Sequence, residues 1–276
     1  MRRSNCGFEL RIRDGVGPQP SGRTAGVWYD GDGRECGRAS VDQPDRWLEW
    51  QPAGLFRFDL SDHVVDAWPA EGIEADGLRY TFVHEVEPLV LQARGWQALH
   101  ASAVAADGRA TAFCGVSGSG KSTIAYAMSQ RGRQHVSDDH LIIEINDEEI
   151  QVLPRAFDAS LRSASAAHFN THAVHAVRSS PVCQLTAVAL VQQVGNLDEP
   201  FVIEPLAPAE AFVALLPHVH CFDSTDRGEM ARVTEDYLAL VERLPIYRLR
   251  YRPSFAVLPR LLDAVDELCF PQPTGA

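Results

Sequence analysis

Between residues 115 and 123 the chain runs Gly-Val-Ser-Gly-Ser-Gly-Lys-Ser-Thr, a match to G-x-x-x-x-G-K-[ST]. No other stretch limits the possible folds so sharply. Three glycines let the backbone curl until successive N–H groups face one anion. The apolar residues 110–114 lead into the loop and predict a strand, and residues 124–128 predict the first turns of a helix. A helix that starts there turns its positive end toward the same anion. Gly115, Val116, Ser117, Gly118, Ser119, Gly120, Lys121, Ser122 and Thr123 therefore form a candidate ATP-binding cradle. Lys121 would reach the β- and γ-phosphates, and the Ser122 hydroxyl would ligate Mg²⁺.

Composition removes several function classes. With 276 residues, 45% hydrophobic and 22% charged, the chain has the make-up of an ordinary globular protein. A net charge of −12 argues against nucleic acid or an anionic membrane as the main partner. No apolar run approaches the ~20 residues of a membrane span, and residues 1–6 lack the apolar core of a signal peptide. The six cysteines are scattered and include no C-x-x-C pair. Free thiols in a reducing cytoplasm are expected, not disulfides or a zinc site.

Residues 1–80 read as a small β-rich region, with strand signals near 8–12, 47–50 and 55–59 and loops between the first two. Residues 81–276 form the second expected domain. Residues 80–94 show helical spacing, with Pro88 marking a kink or a new start. Residues 96–104 predict a strand, and Asp107-Gly108 a hairpin turn that returns the chain to the loop's own strand. Further along, residues 141–145 and 150–153 predict a hairpin, and 184–194 and 201–206 two strands around a turn. Helices are expected over 208–216, 234–244 and 255–268, with a strand over 246–251.

The loop alone indicates a nucleotide and no particular reaction. Asp138 and Asp139 narrow it, because they end the strand predicted after the loop's helix, beside the phosphate site of a right-handed βαβ unit. One carboxylate can hold Mg²⁺ and the other can take a proton from an attacking hydroxyl. His100, on the upstream strand, would approach the site from the side, although a histidine in an apolar stretch is more often a satisfied core residue. His168, His172 and His175 fall at i, i+4 and i+7, but the segment lacks helical strength and a surface or substrate-contact face is the better reading. His218 and His220 read as loop residues. Arg155, Arg162, Arg178 and Arg227 read individually as surface arginines, available for phosphate contact.

Leu-His-Ala-Ser-Ala-Val, the following Gly-Arg-Ala strand, the 115–123 loop, Arg131-Gly132 and Ser137-Asp138-Asp139 stand in this order between residues 99 and 139. As a set they resemble the catalytic domain of HPr kinase/phosphorylase, and more closely the HPr-kinase-related proteins of peptide-modification clusters, including lasso-peptide precursor kinases. The resemblance implies an α/β fold of the phosphoenolpyruvate-carboxykinase-like P-loop type with a small β-rich N-terminal region. It also implies an ATP- and Mg²⁺-dependent serine kinase acting on a peptide or protein. His100, Lys121, Asp138 and Asp139 would match the family's catalytic residues, with Ser122 and Asp139 toward the metal. The family's metal-bound glutamate has no motif match here, and Glu144, Glu148 and Glu149 are the residues available. The phosphorylase signature is not evident. A small-molecule kinase and a non-enzymatic nucleotide-binding module are the alternatives, and self-association into a homo-oligomer is compatible with all three readings.

Overall fold

The structure, a computed structural model, describes residues 8–153, 155, 157–171, 174–177 and 182–270. Residues 1–6, His172 and Arg178, which entered the sequence reading, lie outside the described residues. The chain is mixed α/β and divides into two compact units. One contains the described residues through Ala98 together with His220–Glu235, and the other contains Leu99–Val219 and the residues from Asp236 onward. No helix among the described residues is long and apolar enough to cross a membrane.

The first unit contains β1 (Glu9–Ile12), β2 (Arg23–Tyr29), β3 (Glu35–Asp42), β4 (Asp45–Trp50), β5 (Gly54–Asp59) and β6 (Val64–Pro69). They form one sheet in the order β1-β6-β5-β4-β3-β2, an antiparallel meander from β2 to β6 with β1 added parallel to β6. The sequence reading put loops where β2 and β3 lie. Gly37, which looked like a loop residue, sits inside β3 because the Trp50 ring packs against it; a Cβ there would lie 2.5 Å from that ring. Helix α1 (Ala75–Thr81) and α2 (Glu87–Ala93) are joined by a π-helical turn, Phe82–Val86. Pro88 explains the turn, because it has no N–H to give to the carbonyl four residues back, and the ladder widens just ahead of it. Phe82, Val86, Leu89 and Val90 from this segment pack with Leu48, Phe56 and Phe58 of the sheet.

The second unit contains β7 (Gln97–Ala106, of which Leu99 onward belongs here), β8 (Arg109–Cys114), α3 (Lys121–Gln130), β9 (Gln134–Ser137), β10 (His140–Ile145), β11 (Ile150–Val152), β12 (Phe157–Ser160), α4 (Ser163–His168), β13 (Val174–Val177), β14 (Cys183–Gln193), β15 (Phe201–Pro205) and α5 (Pro208–Leu215). Helix α6 (Arg227–Arg243) is shared between the units, and β16 (Ile246–Tyr251) and α7 (Leu258–Cys269) complete the second. Its main sheet runs β11-β10-β7-β8-β14-β16-β15, with β9 also on β7. The expected 184–194/201–206 pair exists as β14 and β15, but β16 lies between them, parallel to β14 and antiparallel to β15. Helix α6 begins before the expected residue 234, because Asp226 caps it, accepting the Glu229 N–H at 2.9 Å. His168 closes α4 and His175 stands in β13, so these two do not share a helix face.

Helices α3 and α7 lie on one face of this sheet. Ile124 and Met128 of α3 and Leu261 and Leu262 of α7 meet Phe113, Ala187, Ala189, Val191 and Leu249 of the strands. Ile124, Met128 and Leu261 are essentially completely buried, and each contributes about 1.5–3 kcal/mol. This packing fixes α3, and hence the loop that feeds it, against the end of β8.

Candidate active site

The site is set by strand register. Asp107 and Gly108, at φ 51° and 75°, make the two-residue turn between β7 and β8. From that turn the antiparallel ladder runs Ala106↔Arg109 up to Ala101↔Cys114. One residue further, His100 stands opposite Gly115, where the loop begins. Strand β9 pairs antiparallel with β7, Ala103 against Ser137, so it runs parallel to β8 with β7 between them. Its C-terminal end therefore opens at the same sheet edge as the loop. Asp139 O accepts the Ala101 N–H at 3.1 Å, which carries the pairing to that edge. His100, Lys121, Asp138 and Asp139 come together there.

The loop is braced from two strand ends. Tyr251 Oη, at the end of β16, donates to Ser119 O at 2.9 Å, and Gln193 Nε2, at the end of β14, donates to Gly118 O at 3.0 Å. In a trans peptide the C=O and N–H point in opposite directions, so the Tyr251 bond turns the Gly120 N–H away from the tyrosine. Gly120 has φ 105°, and a Cβ on it would sit 2.1 Å from Tyr251 Oη. Gly120→Ala is expected to introduce about 1–3 kcal/mol of strain, lowering the thermal midpoint by several degrees and weakening nucleotide binding. An unchanged midpoint by differential scanning calorimetry would show that the loop has room there.

Lys121 is 5% exposed. Its ammonium donates to Gly115 O at 2.8 Å and Val116 O at 3.4 Å, and to His100 Nε2 at 3.0 Å. An ammonium has only donors, so Nε2 is the acceptor and the imidazole proton sits on Nδ1, 3.7 Å from Asp139 Oδ1. Burial, with the charge of Lys121 second, holds His100 below its ordinary value against the pull of Asp139. The neutral imidazole, not the imidazolium, thus faces Asp139. Burial likewise lowers Lys121, and Asp139 and Asp138 oppose it.

The two aspartates differ. Asp138 is 7% exposed, and its Oδ1 accepts the hydroxyl of the fully buried Ser102 at 2.5 Å. Asp139 has a side chain 52% exposed. It is the middle residue of a γ-turn, with φ 67° and the His140 N–H donating to Asp138 O at 2.8 Å. That conformation is strained for a residue with a side chain, and such strain gathers at functional sites.

The hydroxyls after Lys121 also part company. Thr123 Oγ1 is 2.8 Å from Ser165 Oγ of α4, whereas Ser122 stands in the opening turn of α3. Ser119 Oγ is buried with no partner among the described residues. It lies against Gly115, where a Cβ would be 2.5 Å from it, and so helps to keep that position glycine. Glu148 and Glu149 lie in the β10–β11 turn, where both N–H groups donate to Asn146 Oδ1, and Glu144 stands in β10 opposite Gln151.

Other residues stand near the site. The bridge Leu99↔Val219 brings His218 beside His100. Burial, with His100 and Lys121 adding repulsion, pushes His218 down to about 4. Arg162 Nη2 donates to Ser117 Oγ at 3.0 Å. Tyr251, Gln193 and Ser165 come from scattered positions that no short pattern links, whereas Ser102 stands in the Leu99–Val104 motif beside His100.

No family model matches the chain, and no curated protein does. Among solved structures, the HPr(Ser) kinase/phosphatase from Coxiella burnetii is similar over 62% of this chain and 90% of its own, at 14% identity and a TM-score of 0.34. A likeness that loose leaves the function to be argued from the chain's own residues.

Proposed function

We propose that the protein is a phosphotransferase that moves the γ-phosphoryl group of Mg·ATP to a serine hydroxyl on a peptide or protein. The observation that carries this reading is the convergence of Lys121, Asp138, Asp139 and His100 at one sheet edge, around a G-x-x-x-x-G-K-S loop. A nucleotide-binding module needs the loop, its lysine and one carboxylate toward Mg²⁺; a second carboxylate beside the first is what transfer to a hydroxyl would use. The β8 strand lies between antiparallel β7 and parallel β14, which supports a phosphoenolpyruvate-carboxykinase-like arrangement over an all-parallel P-loop sheet.

The donor set fits both ligands. The Gly-rich loop with its lysine suits phosphate oxygens, and the Ser122 hydroxyl with the half-exposed Asp139 carboxylate are hard oxygen donors suited to Mg²⁺. Magnesium, when bound, offsets charge on the β- and γ-phosphate oxygens. Lys121 leaves its carbonyl partners for those oxygens and stabilises the charge that spreads over them in transfer. Asp138, oriented by Ser102, accepts the proton of the attacking hydroxyl. The serine oxygen bonds to the γ-phosphorus as the bond to the β–γ bridging oxygen breaks, and ADP leaves. Neutral His100 holds Lys121 through Nε2 and faces Asp139 through Nδ1–H, positioning both.

The acceptor we favour is a ribosomally made precursor peptide of the lasso type, in keeping with the motif set of residues 99–139. A net charge of −12 suits a basic peptide. The test is incubation with ATP, Mg²⁺ and serine-containing peptides, including any short precursor peptide found encoded beside the gene. A gain of about 80 Da on a serine, the mass of the transferred group, is the expected product. ATP turnover with no phosphorylated peptide would remove this acceptor, and no turnover with any hydroxyl acceptor would sink the kinase reading.

A further inference from the structure

Several described arginines pair with carboxylates: Arg13 and Arg57 with Asp66, Arg23 with Asp223, Arg131 with Asp263. In a protein of net charge −12 that is the expected fate of an arginine. Arg162 instead reaches the phosphate loop. Among the described residues no carboxylate pairs with it, and its Nη2 donates to a neutral hydroxyl, that of Ser117 in the phosphate loop.

The fit to the loop is specific on both sides. Gly118 has φ 86°, and a Cβ on it would stand 2.8 Å from Arg162 Nη1. The missing side chain at 118 is therefore the space the guanidinium occupies. On its own side, Arg162 stands between the buried Leu161 and helix α4. Ser165 in that helix is buried and bonded to Thr123 of α3 at 2.8 Å. The arm that carries the guanidinium is thus tied to the helix that carries Lys121, and its charge bears on Lys121.

Resting on the phosphotransferase reading, we propose that Arg162 binds the terminal phosphate of the nucleotide, gripping two of its oxygens from the Ser117–Gly118 side of the loop. The chemistry favours this ligand. A planar guanidinium presents two parallel N–H donors that match two phosphate oxygens, whereas a lysine offers a point charge. Lys121 marks the β/γ end of the phosphate chain, and Arg162 adds its charge to that same end. The bond to Ser117 is the resting contact, exchanged for the phosphate when a triphosphate enters.

The test needs no acceptor. Binding of ADP and of a non-hydrolysable ATP analogue, each with Mg²⁺, is measured by calorimetry on the full chain and on R162A and R162K. The wild type should bind the triphosphate more tightly than ADP. R162A should lose about tenfold to a hundredfold in triphosphate affinity, the worth of charge-assisted hydrogen bonds, with ADP affinity within about twofold. R162K should fall between them, having the charge without the fork. Equal losses for both nucleotides in R162A, or no loss for either, overturn the assignment and leave the nucleotide site standing. A wild type that binds neither nucleotide overturns the assignment together with the reading beneath it.

Discussion

Lys121→Ala yields a folded protein whose phosphoryl transfer is lower by ~10³-fold, the scale of losing one preorganised charge at a transition state. Activity falls because no other side chain on the loop itself carries a positive charge. Stability is retained because the ammonium is only 5% exposed and its burial works against the charged form. Its partners are two loop carbonyls and a neutral imidazole, with no carboxylate in hydrogen-bond contact. Removing it leaves no opposite charge stranded, which is the usual source of a large loss when a buried ionic group is cut. Lys121→Met, which keeps the apolar stem, serves as the volume-matched partner. Single-turnover transfer and a thermal melt without nucleotide check both halves. Transfer within a few-fold of wild type in either variant would remove Lys121 from the mechanism. A collapsed melt in both variants would mean that the ammonium is a structural pin.

The meeting of His100, Asp138 and Asp139 at the Gly-rich loop was readable in the sequence because its parts are local or joined by a turn of known arithmetic. Asp107-Gly108 demands positive φ at two successive residues, and that fixes Ala106 against Arg109. Counting up the ladder then delivers His100 to Gly115 without any knowledge of packing. Asp138 and Asp139 follow from the loop-helix-strand succession in the same way. Long-range pairing was not readable. Nothing in residues 184–206 says that β16, from residues 246–251, will enter between β14 and β15. Strand β3 escaped notice because its glycine and small residues serve a tryptophan on the neighbouring strand. Arg162, Tyr251 and Gln193 meet at the loop from distant segments. Tyr251 and Gln193 are unremarkable in their own stretches, and Arg162 was one of four arginines available for phosphate contact, so the folded chain is what singles them out. The neutral state of His100 also depends on folding, since it is set by burial beside Lys121.

The aspartate pair divides its work, and the two asparagine variants should separate the roles. Asp138 is buried and its carboxylate is steered by Ser102, so its position is set before any ligand arrives. A group held that way suits a proton acceptor, whose effect depends on geometry at the attacking oxygen. Asp138→Asn keeps an oxygen for the Ser102 hydroxyl but cannot take the proton. It should lower kcat by about 10²–10⁴-fold while leaving the Mg²⁺ concentration for half-maximal rate near the wild-type value. Asp139 is half exposed on its γ-turn. Asparagine also adopts positive φ readily, so Asp139→Asn should preserve the turn while removing a formal charge from the metal's surroundings. It should raise the Mg²⁺ requirement by about tenfold or more, as loss of a charged contact does, with much of the rate recovered at saturating metal. Rate against Mg²⁺ concentration, measured for both variants, distinguishes them. The opposite pattern, with Asp138→Asn rescued by metal and Asp139→Asn not, would exchange the two roles. It would make the exposed carboxylate beside His100 the base.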